Sequence, residues 1–173
     1  MTQSNDRREQ ALTYIRHQAS KSLGDLVALI ERTAADCGRC LEEVSEEQAA
    51  FRYDEEWCIK EALAHMLVSG KGVNNEIANL VEDRPSAREA RMGVASGADR
   101  PIGELRQALA DMWAETGKLV GTLPEDGNLE RTWDHPIFGS LNFREWIAFQ
   151  RLHAMDHVQQ MEKVKAHSDY PKA

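Results

Sequence analysis

The sequence predicts an all-α protein, a four-helix bundle with a long connection between its second and third helices. Three observations carry that prediction. Proline and glycine are confined to a few places along the 173 residues. Between those places lie four stretches of roughly 20 to 26 residues in which apolar side chains recur with helical period. No stretch reads convincingly as a strand, and no internal repeat is present. Four helices, each with one apolar face, are most simply buried against one another.

Taken in order, residues 22–44 carry Leu26, Leu29, Ile30, Cys37, Leu41 and Val44, the spacing of one buried helix face. Ahead of them "DRREQALTYIRHQA" reads as a short separate helix, so residues 1–19 are an N-terminal extension of a single domain spanning 1–173. The stretch "VSEEQAAFRYDEE" breaks the period, and Asp54, with Glu55 and Glu56 behind it, supplies an N-cap and acidic first turn for the next helix. That second helix is expected from Trp57 to Glu82, with a stripe of Ile59, Ala62, Leu63, Met66, Val73, Ile77 and Leu80. Residues 83–100, "DRPSAREARMGVASGADR", make a connection long for a compact bundle, suited to joining parallel neighbours or to forming a lid. Pro101 suits the first turn of a third helix that continues to Leu123 and ends at "PEDG". An aromatic-rich loop, "NLERTWDHPIFGSL", follows. Asn142 and Glu145 then have the spacing of a capping box, opening a fourth helix that runs to His167.

Composition narrows the function. With 42% hydrophobic and 29% charged residues the chain reads as globular. A net charge of −8 repels polyanions, so no nucleic-acid partner is expected. No apolar run reaches the roughly 20 residues needed to cross a bilayer, and the polar start "MTQSNDRREQ" has no signal-peptide core, so no membrane partner is expected either. Three cysteines, an odd number, fit a reducing compartment, and a cytoplasmic location is the expectation.

The chemistry concentrates in histidines. On the fourth helix, at about 100° per residue, Phe143, Trp146, Gln150, His153, His157, Met161 and Val164 share one core-facing sector. Burying two imidazoles costs free energy unless their nitrogens find partners. The i, i+4 spacing lets both reach one divalent ion; two hydrogen-bonded core histidines are the alternative. A third candidate, His65, lies about 100° from the centre of the second helix's apolar stripe. Its helix neighbours Ala62, Ser69 and Gly72 are small and leave space beside the ring. His17 falls in the polar N-terminal segment and His167 in the tail, while His135, before Pro136, suits a loop-structuring role.

"EEWCIKEALAHM", followed by "HPIFGSLNFREWIAFQRLHAMDHVQQM", resembles the DinB/YfiT-like superfamily, the DinB_2 type in particular. The features that carry the resemblance are Trp57, Lys60, Glu61 and His65; His135, Pro136, Phe138 and Gly139; and Glu145, Trp146, His153, His157 and Gln160. It covers residues 20–167. The resemblance implies a four-helix bundle with a long connection between helices two and three. It also implies a divalent metal, zinc or nickel foremost and iron or manganese otherwise, held by His65, His153 and His157. Three neutral nitrogens would leave a coordination position open to water, as catalytic sites do. Relatives include thiol-dependent transferases and isomerases, so the resemblance implies thiol transfer or hydrolysis on a small-molecule substrate, a low-molecular-weight thiol among the candidates.

Other residues are weighed against plainer roles. Glu61, one turn before His65, suits a hydrogen-bond acceptor for that histidine, a general base, or a solvated carboxylate. Asp156 is offset from the His157 face and is not counted as a ligand, whereas Gln160 flanks the stripe and suits ligand support. Trp57, Trp146, Phe138 and Phe149 read as core rather than a substrate cage. The arginines of "DRPSAREAR" suit an anionic substrate or a solvated loop. Cys37 and Cys40 have CxxC spacing, but they fall late in a helix on its buried stripe, against the redox pattern. The competing readings are therefore a metal-dependent enzyme, a non-catalytic stress-associated bundle whose histidines are structural and whose exposed faces form a homodimer, and a thiol redox protein.

Overall fold

The structure, a computed structural model, describes residues 2–86 and 96–172. Its elements are α1 (Thr2–Ala19), α2 (Leu23–Leu41), α3 (Glu46–Ala50), α4 (Ile59–Val81), α5 (Ile102–Gly121), β1 (Trp133–His135), β2 (Gly139–Leu141) and α6 (Phe143–Lys165). Helices α2, α4, α5 and α6 form the four-helix bundle, and α1 packs on the outside of α6.

Side-chain contacts fix the helix directions. Asn74 donates to Thr116 and Gly70 lies against Met112, two contacts at one sequence offset, so α4 and α5 run parallel. Arg151 donates to Thr33 while Val158 meets Cys40, so α2 and α6 are parallel too. By contrast, His65 meets His153 while Gly70 accepts from Gln150, which makes α4 and α6 antiparallel. Gly117 against Ile30 and Gly121 against Val27 make α2 and α5 antiparallel. The topology is up-down-down-up. A parallel α4–α5 pair obliges the chain to travel back along a helix of 20 residues, about 30 Å at 1.5 Å per residue. That distance explains the length of the connection between Val81 and Ile102.

The helix starts differ from the sequence expectation in one informative place. Ser22 caps α2 by accepting from Asp25 N, and Asn142 with Glu145 forms the expected capping box of α6. The second bundle helix begins at Ile59 with Cys58 as N-cap, not at Asp54. Asp54 instead adopts a left-handed conformation (φ 47°) in the turn before it. Glu61 reaches back to accept from Cys58 N at 2.9 Å, and that reciprocal bond sets the helix start. Trp57 is consequently outside the helix, on the connecting segment. Pro101 stands at the N-cap of α5, one residue ahead of the first turn. The segment read as a break holds the short helix α3, opened by a Ser45–Gln48 capping box.

The aromatic-rich loop contains a two-stranded antiparallel hairpin, with Trp133 opposite Leu141 and His135 opposite Gly139. Strands of three residues are too short to show a period. Gly139 takes a positive φ of 74°, a conformation that favours glycine at the end of such a turn. The core that these elements enclose centres on Trp146, Phe143, Ile30, Leu63, Ile77, Leu105, Met112 and Ile147, all less than 2% exposed. Among the described residues no helix is long and apolar enough to cross a membrane. Arg88 and Arg91 of the long connection lie outside the described residues.

Candidate metal centre

The antiparallel packing of α4 on α6 brings His65 to His153 and His157. His65 sits two turns into α4, on the edge of its buried stripe that faces α6; His153 and His157 stand one turn apart on α6. The Nε2 atoms of His65 and His153 are 3.1 Å apart, and those of His157 and His153 are also 3.1 Å apart. The ligand atoms of all three lie within 4.8 Å of one another, and among the described residues these are the only histidine, cysteine or carboxylate side chains so grouped. All three imidazoles are half-buried.

The contact pattern selects a protonation state. Gln160 Oε1 lies 2.9 Å from His157 Nδ1, and a carbonyl oxygen accepts, so Nδ1 carries the proton. The Nε2 lone pair of His157 is then turned toward the cluster. Burial pushes the His157 pKa down, the Gln160 hydrogen bond opposes that shift, and the neighbouring His65 adds to it. His157 is therefore held neutral, the form that ligates. His153 Nε2 stands in close contact with two other ring nitrogens at once, and a neutral imidazole has only one proton to share among them. A single cation meets all three donors together. Nitrogens bound at about 2.0–2.1 Å in a tetrahedral arrangement lie about 3.4 Å apart; the two 3.1 Å pairs match this to a few tenths of an ångström, and the third pair lies within 4.8 Å. The residues fit a divalent ion.

Aromatic rings pack around the trio. Trp57 lies parallel to His157 (4°, centroids 6.0 Å) and 5.1 Å from His65. Phe149 stacks on His153 at 5.6 Å. Trp57 is half-buried and forms a wall of the cluster, so the reading of it as core is corrected; Trp146 and Phe149 are core, at 1% and 6% exposed. Sequence periodicity missed Trp57 because it precedes the helix and meets residues of two different helices. On α4, Ala62 is buried, and a Cβ added at Gly72 would meet nothing within 4 Å, but Gly72 lies two turns, about 10 Å, along the helix from His65.

The other candidates fall elsewhere. Glu61 is outside the cluster: one oxygen accepts from Cys58 N and the other pairs with Arg52 at 2.5 Å. Those two partners hold its carboxyl below the usual range despite burial that would raise it. Gln160, which flanks the stripe, accepts from His157 Nδ1. Asp156 is exposed and outside the cluster. His135 structures its loop by accepting from Ile137 N and Phe138 N through Nδ1. His17 is exposed, and His167 stacks on Tyr53 at 4.3 Å. Cys37 and Cys40 are free and buried, and burial pushes each thiol up to about 12, which opposes redox use.

Similarity to known proteins agrees with this geometry. A protein of Bacillus subtilis (strain 168) described as "Uncharacterized protein YuaE" is 25% identical over 128 residues, covering 64% of this chain and 78% of its own length. Residues 29–161, which include all three histidines and the four bundle helices except for the outer ends of α2 and α6, match the DinB superfamily. The chain belongs to the DinB superfamily.

Proposed function

We propose that this protein is a metal-dependent enzyme that holds one divalent ion, zinc or nickel foremost, on His65, His153 and His157 and acts on a small-molecule thiol by transfer or hydrolysis. The observation that carries the reading is the convergence of three Nε2 atoms, two pairs of them at 3.1 Å, with His157 turned inward by Gln160. A bound divalent ion would supply Lewis-acid activation of a water or thiol on the side the imidazoles leave open. The chain's own contribution is orientation and exclusion. Gln160 fixes the His157 tautomer, Trp57 screens one side of the cluster, and Phe149 backs His153. The carboxylate one turn before His65 is committed to the helix start, so the described residues assign no general base to Glu61. A homodimer is part of the proposal and rests on the exposed helix faces; sedimentation of the purified protein reads it directly.

Elemental analysis of untagged protein tests the site. Near-stoichiometric metal in the wild type and a sharp loss in His153→Ala are expected, with a thiol-transfer screen to follow. Equal metal content in the two proteins would remove the site, and with it the enzyme reading.

A further inference from the structure

We propose that His135, on the hairpin, is a positioning residue for the metal centre, acting on His153 through the ring of Phe149. The inference rests on the metal reading above. Six contacts carry it. His135 Nδ1 accepts from two successive backbone N–H groups, Ile137 at 3.1 Å and Phe138 at 3.3 Å. Two donors on one nitrogen place the ring proton on Nε2 and fix the plane of the imidazole relative to the turn. The ring, 7% exposed, lies 4.4 Å from Phe149. Phe149 meets the edge of Trp146 at 5.6 Å and 88°, and Phe138 at 6.0 Å. Phe149 also lies against His153, one helical turn on, stacked at 5.6 Å and 28°.

Phe149 is thus wedged among three rings and against the histidine whose Nε2 stands between the other two ligand nitrogens. An imidazole turns about χ2 in a broad well unless its faces are packed. Chelation needs its nitrogen placed to within a few tenths of an ångström. The hairpin therefore serves the site as a buttress: its turn holds His135, His135 holds Phe149, and Phe149 holds the plane of His153. This accounts for a buried histidine in a loop that supplies no ligand.

Two substitutions separate positioning from turn formation. His135→Asn keeps an oxygen able to accept the two N–H groups and removes the ring. Phe149→Leu leaves the turn untouched and removes the relay. With Co²⁺ as the probe, each variant should bind about tenfold more weakly than wild type, the scale of losing a supporting contact to a ligand. Each should also show the same displaced visible absorption band, a signature of altered ligand geometry that a general loss of stability would not move. The double variant should lose little more than either single one, because both act on one path. Wild-type affinity and spectrum in either variant, or fully additive losses in the double variant, would overturn the proposal. Should the wild type take up no Co²⁺, the metal reading itself falls and takes this inference with it; loss confined to the variants isolates the buttress.

Discussion

Gln160 offers the most direct test of how the centre is organised, because one substitution there should weaken metal binding and another should preserve it. In the folded protein its Oε1 accepts the His157 Nδ1 proton at 2.9 Å. Gln160→Leu removes the acceptor. The ring must then keep an unpaired, half-buried N–H or move the proton to Nε2, where it points at His153 Nε2 only 3.1 Å away and blocks ligation. Returning the proton to Nδ1 without an acceptor costs about 1–3 kcal/mol. At 1.4 kcal/mol per tenfold, affinity should fall about 10- to 100-fold, the range found for supporting partners of metal-bound histidines. Gln160→Glu keeps the geometry and replaces an amide oxygen with a carboxylate, which raises the basicity of Nε2 and should hold affinity at or above wild type. Competition of Zn²⁺ or Ni²⁺ against a chromogenic chelator at neutral pH gives both numbers. Metal-free stability serves as the control, since a half-buried surface change should shift it by only about 0.5 kcal/mol. A leucine variant that binds metal as tightly as wild type would refute the tautomer argument, and so would a loss of equal size in both variants.

Other consequences follow from packing and burial. A Cβ at Gly70 would stand 2.7 Å from Met112 Sδ in a filled core, whereas one at Gly72 meets nothing. In metal-free protein, Gly70→Ala should therefore destabilise by about 1–3 kcal/mol through overpacking, offset in part by helix propensity. Gly72→Ala should stabilise by up to about 1 kcal/mol, and urea titration showing both changes with one sign would contradict the close approach of α4 to α5. The thiols of Cys37 and Cys40 are pushed from 9.0 up to about 12 by burial, so their stabilising contribution is complete below pH 9 and is lost as pH rises toward 12. Each should cost about 1 kcal/mol of stability by pH 10, and the Cys37→Ala variant should show a shallower alkaline decline than wild type. Fast modification of either thiol by an alkylating reagent in native protein at pH 8 would show that the burial is overstated.

What the sequence made legible follows the range of each interaction. The α6 stripe was readable because periodicity is a property of one helix: Phe143, Trp146, Gln150, Met161 and Val164 are buried, with His153 and His157 between them. The Asn142–Glu145 box was readable for the same reason. Local rules failed where several local candidates compete. Asp54, Glu55 and Glu56 look like a helix start, but the reciprocal Cys58–Glu61 pair begins the helix and leaves Asp54 in a left-handed turn. A Ser45–Gln48 box was equally present in the chain and marked α3. Trp57 could not be placed beside the histidines from spacing at all. Its contacts join the segment before α4, α4 itself and α6, and no one-dimensional period reports on a meeting of that kind.

The need for those distant contacts is built into the ligand spacing. Residues four apart on a helix are separated by about 6 Å along its axis, yet the Nε2 atoms of His153 and His157 are 3.1 Å apart. The two rings must lean toward each other, and they meet nearly perpendicular, at 87°. Left alone, three imidazoles with one ring proton each have no single fixed arrangement of their nitrogens, and each ring turns about χ2 in a broad well. The fold opposes this with separate restraints: a hydrogen bond that His157 donates to Gln160 on its own helix, a phenyl ring behind His153 from the preceding turn, and an indole beside His65 and His157 from the α3–α4 segment. Beneath the cluster, Gln150 donates to Gly70 O and Asn74 Oδ1 while Asn74 bonds Thr116, so α6, α4 and α5 are tied by one polar network. That network fixes the register of α4 against α6, and a slip of one residue between them would carry His65 about 100° around its helix and out of the cluster. On the metal reading proposed above, the polar core and the aromatic walls serve the same end as the histidines, which is to present three nitrogens already in place before an ion arrives.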